Sequence, residues 1–105
     1  MNLPASLRIG YRDYEVRLWP SKEAQAQAAD GLCDPINAVI YVNEDRVGID
    51  RFETLLHEVL HAVLSVYNLR EKTADEHFVA LLATTLLDTL RRNPALVAYL
   101  VEVPA

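Results

Sequence analysis

A chain of 105 residues with 51% hydrophobic and 24% charged side chains has the make-up of one folded domain; it is too short for two and too apolar for a disordered segment. Fifteen acidic against ten basic residues give a formal net charge of −5, which argues against a phosphate-binding surface, so no nucleic-acid partner is expected. The lone cysteine, Cys33, rules out an intrachain disulfide and reads as a packed thiol rather than part of a stapled secreted domain.

The N-terminus lacks a basic segment followed by an apolar core, so no signal peptide is expected. Leu7 to Gly10 and Tyr14 to Trp19 read as two short strands around a Gly10-Tyr11-Arg12-Asp13 turn, closed by Pro20. Tyr14, Val16 and Leu18 alternate with Glu15, Arg17 and Trp19, the period of a half-exposed strand. Ser21 to Ala29 predicts a short helix with Ser21 as its cap. Gly31-Leu32-Cys33 then pairs with Ala38 to Val42 across Asp34-Pro35-Ile36-Asn37, four residues of strong turn chemistry. The β-branched and aromatic run Val39 to Val42 suits a sheet packed against helices.

From Asp50 to Tyr67 the period turns helical. Phe52, Leu56, Val59, Leu60, Val63 and Tyr67 form one stripe, the predicted core face, while Thr54, His57, His61 and Ser65 form another. Asn68 to Lys72 is a polar connection, and a second helix is expected from about Thr73 to Arg92. Its apolar stretch, Phe78 to Leu90, is interrupted by Thr84, Thr85, Asp88 and Thr89 and is too short for a membrane span. Arg91-Arg92 decorates its end. Asn93-Pro94 reads as an N-cap with proline at the first helical position, opening a short third helix to Val101 that packs through Leu96, Val97 and Leu100. These elements predict a single α+β domain over residues 1–105: a small, mainly antiparallel N-terminal sheet on two main helices, with a short C-terminal helix. A cytoplasmic protein that does not contact membranes is expected.

The chemistry lies in His57-Glu58-Val59-Leu60-His61. Four residues span about one helical turn and ~6 Å of rise, so both imidazoles lie on one side, where they can share one zinc ion. Glu58 can reach a metal-bound water without ligating, which predicts metal-assisted hydrolysis with Glu58 taking the proton. Such a run arises by chance in roughly one random chain of this length in several hundred. A catalytic zinc generally has three protein ligands, and Asp75, Glu76 and His77 compete for the third place. The core stripe of the second helix is Val79, Ala80, Ala83, Leu86, Leu87 and Leu90. His77 points away from it, whereas Asp75 and Glu76 both lie at its edges and face the first helix; periodicity does not separate them. Thr73-Ala74-Asp75-Glu76 also fits a capping box, which would occupy Glu76 on the backbone, and Asp75 is favoured in a first turn by the helix dipole.

Glu53 to Val63, followed by an acidic helix start and Arg92-Asn93-Pro94, resembles small metallopeptidase-like proteins of phages and prophages, grouped loosely with ImmA/IrrE-type zincins. The turn leading into Val39 to Asn43 is similar to the strand that precedes their metal-binding helix. The resemblance covers roughly residues 31 to 95, and its specific element is the HExxH motif. It implies a minimal zincin-like domain, zinc on the two histidines and a downstream glutamate matching Glu76, and an edge strand that aligns an extended peptide. The stretch after His61 is shorter than the family pattern, and the signature that follows the glutamate is absent, replaced by Glu76-His77-Phe78-Val79-Ala80. A metzincin pattern is excluded because Tyr67 stands where a third histidine would be.

The expected function is therefore a zinc-dependent metallopeptidase acting on a peptide or protein substrate, with Glu58 as base, in the host cytoplasm if a phage carries it. Tyr11, Tyr14, Tyr41 and Tyr67 are candidate oxyanion donors. The alternative is a metal-holding protein of the same kind that acts on a partner without turnover. Oligomeric state is left open by the sequence.

Overall fold

The computed structural model describes residues 3–67 and 76–102. Strand β1 (Ser6–Ile9) and strand β2 (Arg12–Trp19) form an antiparallel hairpin in which Ile9 faces Arg12 across a two-residue turn. Gly10 takes φ 60° there and Tyr11 does not share the positive φ, the pattern of a turn that wants glycine first. A side chain at Gly10 would also meet Val66 and the Tyr67 ring, so the hairpin tip sits on the end of the long helix.

Helix α1 (Ser21–Gln27) begins after Pro20, so Ser21 is its first residue and makes no side-chain cap; its backbone N–H donates to the Glu44 carboxylate at 3.1 Å. Strand β3 (Gly31–Asp34) and strand β4 (Val39–Asn43) pair antiparallel, as the turn chemistry predicts. The Asp34 carboxylate accepts the Ile36 and Asn37 N–H groups at 3.1 and 3.2 Å and so builds that turn. Helices α2 (Gly48–Val66), α3 (Glu76–Arg92) and α4 (Pro94–Val101) complete the described chain. No helix among the described residues is long and apolar enough to cross a membrane.

The strand order is β1-β2-β4-β3, and the two hairpins join through a parallel β2–β4 pairing that sets Val16 beside Ile40 and Leu18 beside Val42. The sheet is thus mixed rather than simply a set of hairpins. The parallel pair is possible because α1 and β3 supply a crossover long enough to return the chain in the same direction. β3 is left at one edge.

One sheet face carries Ile9, Tyr14, Ile40 and Val42 against Ala62, Leu55, Val59, Val63 and Val66 of α2. Tyr14 and Val16 are buried as the alternation predicts, but Leu18 is exposed and Trp19 is buried on the opposite face, its ring 5.6 Å from that of Tyr41. α3 packs against α2 through its predicted stripe, of which Val79 and Ala83 are fully buried. Helix α2 is therefore covered from two directions. In place of the single predicted core stripe, Thr54, Glu58 and Ala62 are its most buried residues, while Phe52 and Tyr67 at the ends are exposed.

Asn93 precedes α4 as predicted but does not cap it; its Nδ2 donates back to the Thr89 carbonyl at 2.8 Å. Leu96 and Val97 are exposed rather than packed; among the described elements the main neighbour of α4 is α3. The predicted connection Asn68 to Lys72, the helix start at Thr73, Asp75 and the side chain of Leu100 lie outside the described residues.

Candidate metal centre

Residues advance about 100° each around a helix, so on α2 His57 and His61 fall on the flank between the face turned to the sheet and the face turned to α3. Their Nε2 atoms converge, 3.2 Å apart, with ring centroids at 4.9 Å. Glu76, in the first turn of α3, reaches across: one carboxylate oxygen contacts His57 Nε2 and the other lies 3.1 Å from His61 Nε2. One donor atom from each residue lies within 4.8 Å of the other two.

The spacing tests whether a metal fits. Two nitrogens at 2.0–2.1 Å from a tetrahedral zinc stand about 3.3 Å from each other, the edge of the coordination tetrahedron. The observed 3.2 Å between the imidazoles and 3.1 Å from His61 to Glu76 match such edges, whereas the Glu76 oxygen on His57 stands closer than an edge and would have to move outward to admit an ion. Donor chemistry agrees: two imidazoles and one carboxylate are the set that holds zinc and leaves a position open. His77 is exposed and does not join the cluster, as its place on the helix predicts.

Partial burial opposes the ionised form of Glu76, but hydrogen bonds with His61 and His57 outweigh it and hold the carboxyl below its ordinary value. Glu58 behaves oppositely. It is only 7% exposed, and its carboxyl is pushed up to about 8, first by burial and second by the Glu76 charge. Gly31 on β3 lies directly against that carboxyl. A Cβ there would stand 2.9 Å from Glu58 Oε2 and 2.9 Å from Thr54 Cγ2, so only glycine lets the strand lie against the carboxyl. Thr54 and Glu58, one turn apart, are both buried at this close approach.

The donors open into a cleft of about 740 Å³ that runs beside the edge strand, with Gly31, Leu32 and Cys33 on one wall and His57, His61, Glu76 and Ala80 on the other. Arg46 also lines it, its Nε donating to Thr54 Oγ1 at 3.2 Å. Cys33 lines the cleft half-buried, and its thiol is pushed up to about 12, chiefly by burial, then by the charges of Glu58 and Asp34.

None of the four tyrosines considered as oxyanion donors lines this cleft. Tyr11 is exposed at the hairpin turn, Tyr41 packs at a tilt against Trp19, Tyr67 lies against Gly10, and Tyr14 is wholly buried in the core. Gly31 and Arg46 belong to the site without having been assigned to it from the sequence, whereas Thr54 was placed on the polar stripe of the two histidines. For Gly31 the signal was an isolated glycine at a strand start.

No protein-family model matches this chain, and no curated protein or solved structure matches it either.

Proposed function

We propose that the chain is a zinc-dependent peptidase of the zincin kind, related to the ImmA/IrrE-type proteins that its motif resembles. The observation that carries this reading is the convergence of His57 Nε2, His61 Nε2 and the Glu76 carboxylate on one point, with Glu58 buried on the wall of the same cleft. His57, His61 and Glu76 would hold the ion. Zinc would supply Lewis acidity, polarising a peptide carbonyl and acidifying a water.

Glu58 is the proton carrier. It accepts a proton from the attacking water and returns it to the leaving amine, so the C–N bond breaks without releasing an unprotonated amide ion. A carboxyl kept out of water near neutral pH is suited to both halves of that exchange, and a nearby cation favours its ionised form at the start. The free edge of β3 supplies backbone groups to which an extended peptide can add as a further strand, passing the donors as it does so. Thr54 and Gly31 hold Glu58 in place, and neither needs to touch the substrate.

A second reading, metal binding and partner recognition without turnover, is favoured by the absence of any tyrosine from the described lining of the cleft. Zinc content and cleavage of casein or a peptide library, measured for the parent and for Glu58→Gln, decide between them. The peptidase reading expects zinc retained and hydrolysis abolished in the variant. A parent that holds zinc but cleaves nothing supports the second reading, and hydrolysis that survives in Glu58→Gln overturns the first.

A further inference from the structure

Among the described residues the cleft is lined by four acidic side chains but by a single lysine or arginine, Arg46. The reading above gives that cation no task. It is not one of the converging donors, and its ion pair is with neither Glu58 nor Glu76.

Arg46 is nevertheless fixed through both backbone and side chain. Its N–H donates to the Asn43 carbonyl at 2.9 Å, and its own carbonyl accepts from Arg51 Nε at 2.7 Å. Its side chain is tethered through Nε to Thr54, which is itself buried. A guanidinium held by Nε still offers its two terminal nitrogens as a fork, the geometry that grips a carboxylate by two parallel bonds. Neither terminal nitrogen makes a hydrogen bond to a described residue. Asp30 comes nearest, but it stands 3.9 Å away, beyond hydrogen-bond distance, with its side chain 62% exposed. The Arg46 side chain is 30% exposed, so the fork is reachable yet partly sheltered from water, where a charge-assisted bond is stronger.

Other acids of the cleft are engaged elsewhere. Glu53 Oε1 accepts from Thr84 Oγ1 at 2.8 Å, and the imidazoles hold Glu76. The tether also fixes where Arg46 acts. Thr54 precedes His57 by three residues on α2, ~4.5 Å along the helix axis. An extended peptide advances ~3.3 Å per residue, so a group bound at Arg46 falls about one or two residues from the bond presented to the donors.

We infer that Arg46 is a specificity-determining residue whose terminal nitrogens bind a carboxylate of the substrate close to the cleaved bond. The substrate class is then an acidic peptide, its carboxylate carried by an Asp or Glu side chain or by a free C-terminus. This rests on the reading of the cleft as a peptide site. The net charge of −5 opposes such a peptide only at long range, where salt screens it, whereas a contact pair in a partly buried cleft is screened much less.

The test is fluorescence anisotropy on Glu58→Gln protein in zinc-containing buffer, with short labelled peptide pools that this variant does not consume. One position at a time is fixed as Glu or as Gln, and each pool is made with a free and with an amidated C-terminus. The acid form is expected to bind about 10- to 100-fold tighter than its amide, as one charge-assisted pair does. A preference for Glu that survives amidation assigns the carboxylate to a side chain; a preference removed by amidation assigns it to the C-terminus. Arg46→Met in the same background should erase the ratio with zinc retained, and Arg46→Lys should keep part of it. Because the ratio is taken within each protein, a general loosening of the fold lowers both affinities and leaves it unmoved.

Cleavage of the same pools by the parent separates this inference from the peptidase reading. Cleavage without any acidic preference overturns the inference and leaves the peptidase standing. An Arg46-dependent preference in binding, with no cleavage by the parent, upholds the inference and overturns turnover. Equal binding of acid and amide forms, binding of neither, or a preference that persists in Arg46→Met overturns the role of Arg46.

Discussion

Replacing Glu58 by glutamine in protein stripped of metal by a chelator should make the fold more stable at neutral pH. The carboxyl titrates at about 8 in the folded chain against an ordinary 4.5. Between those values the folded state binds the proton that the unfolded state has released. The contribution of Glu58 is therefore fully present below 4.5 and is lost as pH rises through 8. At pH 7 the gap spans 2.5 units, which at 1.36 kcal/mol per unit is a handicap of about 3 kcal/mol. At pH 5 the same accounting gives under about 1 kcal/mol. Glutamine has no such slope, although its buried amide forfeits on the order of 1 kcal/mol in hydrogen bonding. Urea unfolding of the parent and the variant at pH 5, 6, 7 and 8 isolates the effect, because the two proteins differ only in this one carboxyl. The difference in stability should swing by about 2.5 kcal/mol toward the variant between pH 5 and pH 7. A difference that stays flat across that range would mean that the carboxyl is solvated, and the reasoning from Gly31 to a dry base would fail.

Glu76→Gln should weaken zinc binding by at least about 100-fold in a chelator competition, since loss of a ligand should exceed the 10–100-fold typical of losing its supporting partner; unchanged affinity would remove Glu76 from the coordination set. His77→Gln should bind zinc as the parent does, because its side chain is not part of the cluster. Gly31→Ala drives a methyl to 2.9 Å from Glu58 Oε2 and Thr54 Cγ2, so a stability loss of about 1–3 kcal/mol and a fall in kcat with zinc retained are expected. Parent-like kcat in that variant would show that Glu58 does not depend on the strand for its position. Cys33, with its thiol near 12, should be about 1,000-fold slower to alkylate at pH 8 in the folded protein than after denaturation, followed by iodoacetamide labelling and mass; equal rates would contradict its burial.

What could be read from the sequence was what is local. The HExxH spacing closes within one helical turn, so its geometry follows from helix formation alone, and the structure gives the two imidazoles the convergence that spacing demands. The two hairpins were legible for the same reason: their turns are built from residues adjacent in the chain, Gly10 in one and Asp34 with Asn37 in the other. The parallel pairing of β2 with β4 was not, because the residues it unites, such as Val16 and Ile40, carry no mark of their partner. The core stripe of α2 was misplaced by a related cause. A helix covered from two sides spreads its apolar residues over both faces, and a single period fitted to them points between the two.

Periodicity on α3 set His77 aside and left Asp75 and Glu76 undivided; Glu76 is the one the described structure brings to the histidines, and Asp75 falls outside it. Its reach depends on how closely α3 approaches α2, and that is set by small side chains: Ala83 is fully buried at the contact and Ala80 lines the cleft beside the donors. Gly31 works the same way from the opposite side, 27 residues before the carboxyl it accommodates, which is why no window of sequence around the motif contains it. Three positions where a side chain is nearly or wholly absent thus let a strand and a helix close on α2. They set the spacing of the donors and the dryness of the base as directly as the residues that carry the chemistry. A larger side chain at any of them should therefore alter metal affinity or proton transfer before it unfolds the domain.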